Sequence, residues 1–245
     1  MPQAPTERNA GSGALRRFLA ILVLSCFALL VFAGTVLLTA PASVIARMGQ
    51  VPPQVLGLSG TLWSGQARLD GGLSLAWQGN WRSIPARLRL ESGLSVTGPG
   101  TLLTGTAFAG FGQTGLRDLS GRAGAEVLAL LPGAAPCNGQ AVVDVTQASW
   151  SRDGVIGLGR IRIGESRCQP VGGRAFQAPA LNLDLTTEPP EAVATLTTDD
   201  ASRTVMATAR LTSRGRIRLR IEPAGARIVP GLPSSGPTEL EFQLD

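Results

Sequence analysis

The chain has 245 residues, 22 of them basic and 17 acidic; histidine, lysine and tyrosine are absent, so every basic side chain is arginine. Without histidine or lysine there can be no Ser-His-Asp or Cys-His catalysis, no Schiff-base lysine, no P-loop and no histidine-bound metal. Apolar residues make up 44% but aromatics only 4%, so aliphatic side chains must build the core.

Residues 1–14 are rich in Pro, Ala and Gly. An uninterrupted apolar run follows from Phe18 to Leu38. At about 1.5 Å per residue, a helix of that length spans roughly 31 Å, the thickness of a bilayer's hydrocarbon core. Arg8, Arg16 and Arg17 precede the run, and Arg47 is the one basic residue soon after it. The positive-inside rule then places residues 1–17 in the cytoplasm and the rest across the membrane. Ala40-Pro41-Ala42 offers small residues for a signal-peptide cut, but the run exceeds the usual length of a signal's apolar region, which favours a retained anchor. The expected organisation is a cytoplasmic tail (1–17), a transmembrane anchor (18–38), a juxtamembrane linker (39–55) and an exported β-rich domain (56–245). The exported part holds 19 arginines against 16 acids, a mixed surface that gives no argument for nucleic acid.

Pro41 to Arg47 can continue as a short helix, and Gly49 to Pro53 breaks it. From residue 56 the apolar period becomes two, the signature of strands. Strands are expected at 61–69, 73–77, 86–91, 94–96, 101–108 and 116–122, with turns at Asp70-Gly71-Gly72 and Gln78-Gly79-Asn80. In 86–91, Leu88 and Leu90 point one way and Arg87, Arg89 and Glu91 the other. Residues 123–131 read as the one soluble helix, stopped by Pro132-Gly133. Strands resume at 139–145, 148–150, 159–163, 181–185, 192–196, 204–211 and 216–221. The fold class is therefore all-β, mainly antiparallel, with one N-terminal transmembrane helix and one short soluble helix. Half-apolar strands must hide one face, in a curved sheet, a sandwich or a half-barrel.

Cys137 and Cys168 are the available pair in a compartment that permits disulfides, and we expect them to be bonded; Cys26 lies in the apolar run as a small apolar residue. Arg216, Arg218 and Arg220 form one face of the last clear strand, a possible partner surface or a solvated stripe. Trp63, Trp77 and Trp81 cluster near the start of the domain, and Trp63 joins the arginines as a candidate contact residue. Asp199-Asp200 and the Glu188 and Glu191 flanking Pro189-Pro190 read as turn residues. Gly154, Gly157 and Gly159 read as turn glycines before a strand, in the wrong order for a dinucleotide fingerprint. Nothing points to a catalytic, cofactor or metal site.

The most distinctive string is Ser59-Gly-Thr-Leu-Trp-Ser-Gly-Gln-Ala67. Together with the single N-terminal apolar segment, LRDLSGRAGAEVLALLPG at 116–133, the GQAVVDV block, the two later cysteines and the alternating Arg/Ile strand, it resembles the type II secretion system protein N family. The resemblance implies a non-enzymatic accessory component, anchored in a bacterial inner membrane with its bulk in the periplasm. It would support export of folded proteins across the outer membrane through contacts with other secretion-system proteins, such as the inner-membrane platform or the secretin. The alternative reading is a periplasmic β-groove that handles lipid or glycolipid.

Overall fold

The computed structural model describes residues 11–43, 53–80, 89–130, 137–169, 175–228, 233 and 235–243. The expectations for Arg87, Leu88, Trp81 and most of 41–53 fall outside them. Two compact units are present, Met1–Pro41 and Ala42–Asp245.

The first unit is one helix, α1 (Gly11–Thr39), which contains a span from Phe18 to Val36 long and apolar enough to cross a bilayer. It begins ahead of the apolar run, because Ala14-Leu15-Arg16-Arg17 are strong helix formers and nothing breaks the turn before Phe18. Phe18, Leu22, Leu24, Leu30 and Phe32 are all more than half exposed, so the helix is apolar on every side. Its two threonine hydroxyls are satisfied internally: Thr35 Oγ1 donates to the Phe32 carbonyl and Thr39 Oγ1 to the Thr35 carbonyl, each at 2.8 Å.

The second unit is dominated by one antiparallel sheet of thirteen strands. In chain order they are β1 (Val55–Gly60), β2 (Ser64–Leu69), β3 (Ser74–Asn80), β4 (Arg89–Gly98), β5 (Thr101–Gly110), β6 (Gln113–Ala123), β7 (Ala141–Ser151) and β8 (Val155–Ile163), followed by β11 (Leu181–Glu188), β12 (Glu191–Thr198), β13 (Val205–Leu211), β14 (Arg216–Ile221) and β15 (Thr238–Gln243). Each strand pairs with its neighbour in sequence. Among the described residues the one excursion is a separate two-stranded ribbon, β9 (Ser166–Cys168) with β10 (Phe176–Ala178), inserted between β8 and β11. Such a meander follows from the short turn signals between alternating strands.

The all-β expectation holds, and it takes the form of one sheet without a stacked partner sheet among the described residues. Several boundaries move. The strand expected at 61–69 begins at Ser64 as β2, with Thr61 to Trp63 in the turn of the β1–β2 hairpin. Gln78 to Asn80 complete β3 instead of turning. Residues 94–96 join β4, and 148–150 join β7 across a bulge at Val145/Gln147. The soluble helix shrinks to α2 (Ala125–Ala129), because Ala123 still pairs with Ala141 and Gly124 N is held at 2.9 Å by the buried Thr101 hydroxyl. A further short helix, α3 (Pro223–Ala226), follows β14.

The register lays out two faces. Leu58, Ala67, Leu75, Val96, Leu103, Gly121, Val143, Ile161, Leu183, Leu196, Ala207, Ile221 and Thr238 stand opposite one another from edge to edge. On the other face Ser120, Asp144, Arg160, Asp184, Thr195, Thr208, Arg220 and Glu239 make the corresponding row. One face is thus mainly apolar along the strand order and the other mainly polar and charged. The apolar face is packed where Leu103, Ala123, Ala141, Val143 and Val145 form a buried cluster, with Leu119, Val127, Ile161 and Ile163 against it. That end of the sheet also carries α2, α3, the β9–β10 ribbon and the Cys137–Cys168 disulfide.

Candidate functional site: an apolar groove, a charged face and a turn motif

At the opposite end of β6–β8 and β11–β14, the apolar face is hollow. A groove of about 500 Å³ runs under it, lined by Leu116, Ala148, Trp150, Val155, Gly157, Leu185, Ala192, Ala194, Ala209, Leu211 and Ile217 among others. No charged side chain lines it. Seven consecutive strands of the sheet contribute, so the sheet must curl sharply here. Glycine makes the curl possible: a Cβ on Gly157 of β8 would stand 3.3 Å from the Ala192 Cβ of β12, two strands away. Gly159 has φ +149° and faces the β7 bulge, where a Cβ would strike the Val145 backbone. This corrects the reading of these residues as turn glycines: Gly154 turns the chain, but Gly157 and Gly159 sit inside β8 and serve close backbone approach.

The polar face carries the arginine stripe. Arg216, Arg218 and Arg220 alternate with the inward Ile217, Leu219 and Ile221 as expected. Each is matched by acid: Arg216 with Glu241 at 3.2 Å, Arg218 with Glu191 at 3.1 Å, and Arg220 with Glu222 at 2.7 Å and Glu239 at 3.7 Å. Arg210 joins Glu188 at 2.7 Å and Glu191 at 3.5 Å, and these carboxylates hold its pKa above the ordinary arginine value. Glu188 and Glu191 flank the β11–β12 turn as expected, and in addition they tie that turn to β13 and β14. Further along, Arg160 Nε meets Asp184 Oδ1 at 2.6 Å, which raises the Arg160 pKa. The stripe is a charge-balanced lattice instead of a bare cationic patch. Exposed pairs of this kind contribute little individually to stability.

Nearer the first edge, the polar face holds a denser cluster. Phe108 is buried, with the guanidinium carbons of Arg89 and Arg117 at 4.5 and 5.2 Å from its ring centre. Arg117 Nη2 meets Glu91 Oε1 at 2.7 Å; Arg89 donates to Gln113 Oε1, and Gln113 Nε2 donates to Ser149 Oγ. The alternation expected in β4 is kept, yet the Glu91 side chain is only 14% exposed whereas Leu90 is 37% exposed. Charge partners and an aromatic ring shelter the glutamate, while the leucine lies on the open apolar face.

Ser59 to Ala67 form a tightly bound turn. Gly60 has φ +93°, a left-handed conformation that suits glycine. Thr61 Oγ1 accepts from the Trp63 and Ser64 amides, and Trp77 Nε1 donates to the Thr61 carbonyl at 3.1 Å. A Cβ on Gly65 would collide with the Ser59 carbonyl and the Trp77 ring. Trp63 is half-buried against Gly79 in this hook. It belongs to the first hairpin, whereas the arginines belong to β14, so the candidate contact residues divide between the two halves of the sheet order.

Cys137 and Cys168 are disulfide-bonded. A β-groove is the alternative expected from the sequence, but its lining residues are not named there; their one signal is the run of alanines at every second position, Ala192/Ala194 and Ala207/Ala209, which places small side chains on an inward face. Compared with known protein families, curated proteins and solved structures, the chain matches none at a significant level.

Proposed function

We propose that the chain is a non-catalytic, membrane-anchored accessory component of the type II secretion system, which supports passage of folded proteins from the periplasm across the outer membrane. The observation that carries this reading is the Ser59–Ala67 string. Its residue types are those of the family it resembles, and in the fold Ser59, Gly60, Thr61, Trp63, Ser64 and Gly65 take part in one tight hairpin turn at the start of the sheet. The N-terminal apolar helix suits an inner-membrane anchor with an exported body. A long sheet suits contact with other proteins: β15 lies at the end of the strand order, and its outer edge offers backbone groups to an added strand.

The test is a clean deletion in the native cell. Secreted enzymes are expected to stay folded but trapped in the periplasm, and to be released again when the full chain is supplied. Normal export from the deletion strain overturns the reading. Orientation is checked separately by alkaline phosphatase fused after Asp245, which is expected to be active.

A further inference from the structure

We infer that the groove under β6–β8 and β11–β14 holds one alkyl chain of a membrane phospholipid. The inference stands apart from the secretion role and rests on the face of the sheet itself.

The same apolar face is solid at one end and hollow at the other. Leu103, Val143 and Val145 fill the space at the packed end. At the groove end five of the inward positions are small, Ala148, Gly157, Ala192, Ala194 and Ala209, and leave room between the larger lining residues that bulkier side chains would close. The resulting volume, about 500 Å³, lies within the range of about 300–1,000 Å³ for small-molecule sites.

The lining chooses the chemistry of the occupant. It has no charged side chain, and its one indole N–H, on Trp150, is already given to the Ser213 carbonyl. The walls are interior strands of a sheet, so their amides and carbonyls are engaged in ladders. A peptide laid there would leave its own backbone groups unpaired, which is costly away from water. An alkyl chain has no such groups. The apolar surface also continues to the free edge: Phe242 of β15 stands opposite Ile217 of the lining, and Phe242 and Leu240 are 50% and 38% exposed. That edge is a mouth through which a chain can enter while its headgroup stays in water. The same polypeptide carries a helix long and apolar enough to cross a bilayer, the source of such a chain.

The experiment feeds cells a diazirine-bearing fatty acid that is built into their phospholipids, irradiates them, and maps adducts on the full-length chain by peptide mass. Adducts on Phe18–Val36 serve as the internal control. Additional adducts of intact phospholipid mass are expected on peptides containing Trp150, Ala194, Ala209 or Ile217. Ala194→Phe and Ala209→Phe, each projecting a ring into the groove, should lower the groove adducts about tenfold or more while sparing those on the helix. Arg218→Ala, on the opposite face, should change neither. Retention of the Cys137–Cys168 bond reports that each variant is folded, and two independent fillings guard against one that is not. Labelling of the helix alone, adducts of free fatty acid mass alone, or protein-sized adducts at the groove peptides would each overturn the inference. A secretion defect without groove adducts, or the reverse, separates this outcome from that of the deletion test.

Discussion

The indole N–H of Trp150 donates to the main-chain carbonyl of Ser213 at 3.0 Å, although Trp150 is on β7 and Ser213 is in the turn between β13 and β14. In strand order β7 and β13 are four steps apart, about 19 Å on a flat sheet. The hydrogen bond therefore bridges the curl and closes one end of the groove. A second link at the same end joins the β7–β8 and β11–β12 turns, from Val155 N to the Pro190 carbonyl at 3.0 Å.

Trp150 should accordingly stabilise the curl in two separable ways. Trp150→Phe keeps an aromatic ring and loses the bond, and is expected to cost about 1 kcal/mol. Trp150→Ala also removes the ring from a half-buried site and should cost about 3 kcal/mol. Urea unfolding of the two variants measures both; a Trp150→Phe variant as stable as the parent would mean that the hydrogen bond contributes nothing, and equal losses in the two variants that the ring adds nothing to it.

The Ser59–Ala67 hook makes a sharper steric prediction. Gly65→Ala places a methyl group against the Ser59 carbonyl and the Trp77 ring, and is expected to destabilise by about 1–3 kcal/mol. Gly57→Ala, eight residues earlier on β1, meets nothing within 4 Å and should stay within about 0.5 kcal/mol of the parent. Unfolding midpoints followed by tryptophan fluorescence, to which Trp63 and Trp77 both contribute, distinguish the two. Similar losses at both positions would argue that the hook has no special packing.

Much of the fold was legible because its physics is local. Alternation in Arg216–Ile221 fixed both the strand and its two faces, and Asp70-Gly71-Gly72 fixed a turn whose two glycines have φ of +71° and +74°. The joins were harder. β7 continues through Thr146 because a bulge absorbs the extra residue, and a bulge interrupts the alternation that pattern reading depends on. β15 escaped notice because Glu239, Glu241 and Gln243 gain their meaning only from Arg220, Arg216 and the Arg214 carbonyl across the sheet. A groove could be expected from half-apolar strands, but which residues line it was hidden for the same reason. Alanines at 194 and 209 are unremarkable until the curl brings β6 and β14 around one space. Likewise, a sheltered Glu91 is invisible until β6 delivers Arg117 to it.

The Cys137–Cys168 bond closes a 31-residue separation and ties the segment after α2 to the β9–β10 ribbon. Replacing both cysteines by alanine should cost about 3–4 kcal/mol on the chain-entropy view. Cys26→Ala, in the apolar helix, should leave the stability of the sheet unchanged. Thermal unfolding with and without reductant checks the first expectation: the parent should fall to the level of the double variant when reduced. No response to reductant would mean that the cross-link does not limit unfolding.

Asp200 provides a pH test at the β12–β13 turn. Its carboxylate accepts from the Ser202 hydroxyl, from Thr198 Oγ1 at 2.9 Å, and from the Ser202 and Arg203 amides at 3.0 Å each. These bonds, led by the Ser202 and Thr198 hydroxyls, hold its pKa below the ordinary value of 3.8. They also fix Arg203 at φ +45°, a left-handed conformation that an arginine adopts only when held there. A depressed carboxylate pKa means that the folded state prefers the charged form. The stabilisation is present above the unfolded pKa and is lost as pH falls through the lower folded value. Asp200→Asn should therefore lower the unfolding temperature at pH 7, and the gap between variant and parent should close below about pH 4. Since Asp200 is exposed, the effect is small and its pH dependence is the decisive readout. A gap that stays constant from pH 7 to pH 3 would show that the turn depends on the shape of the side chain and not on its charge.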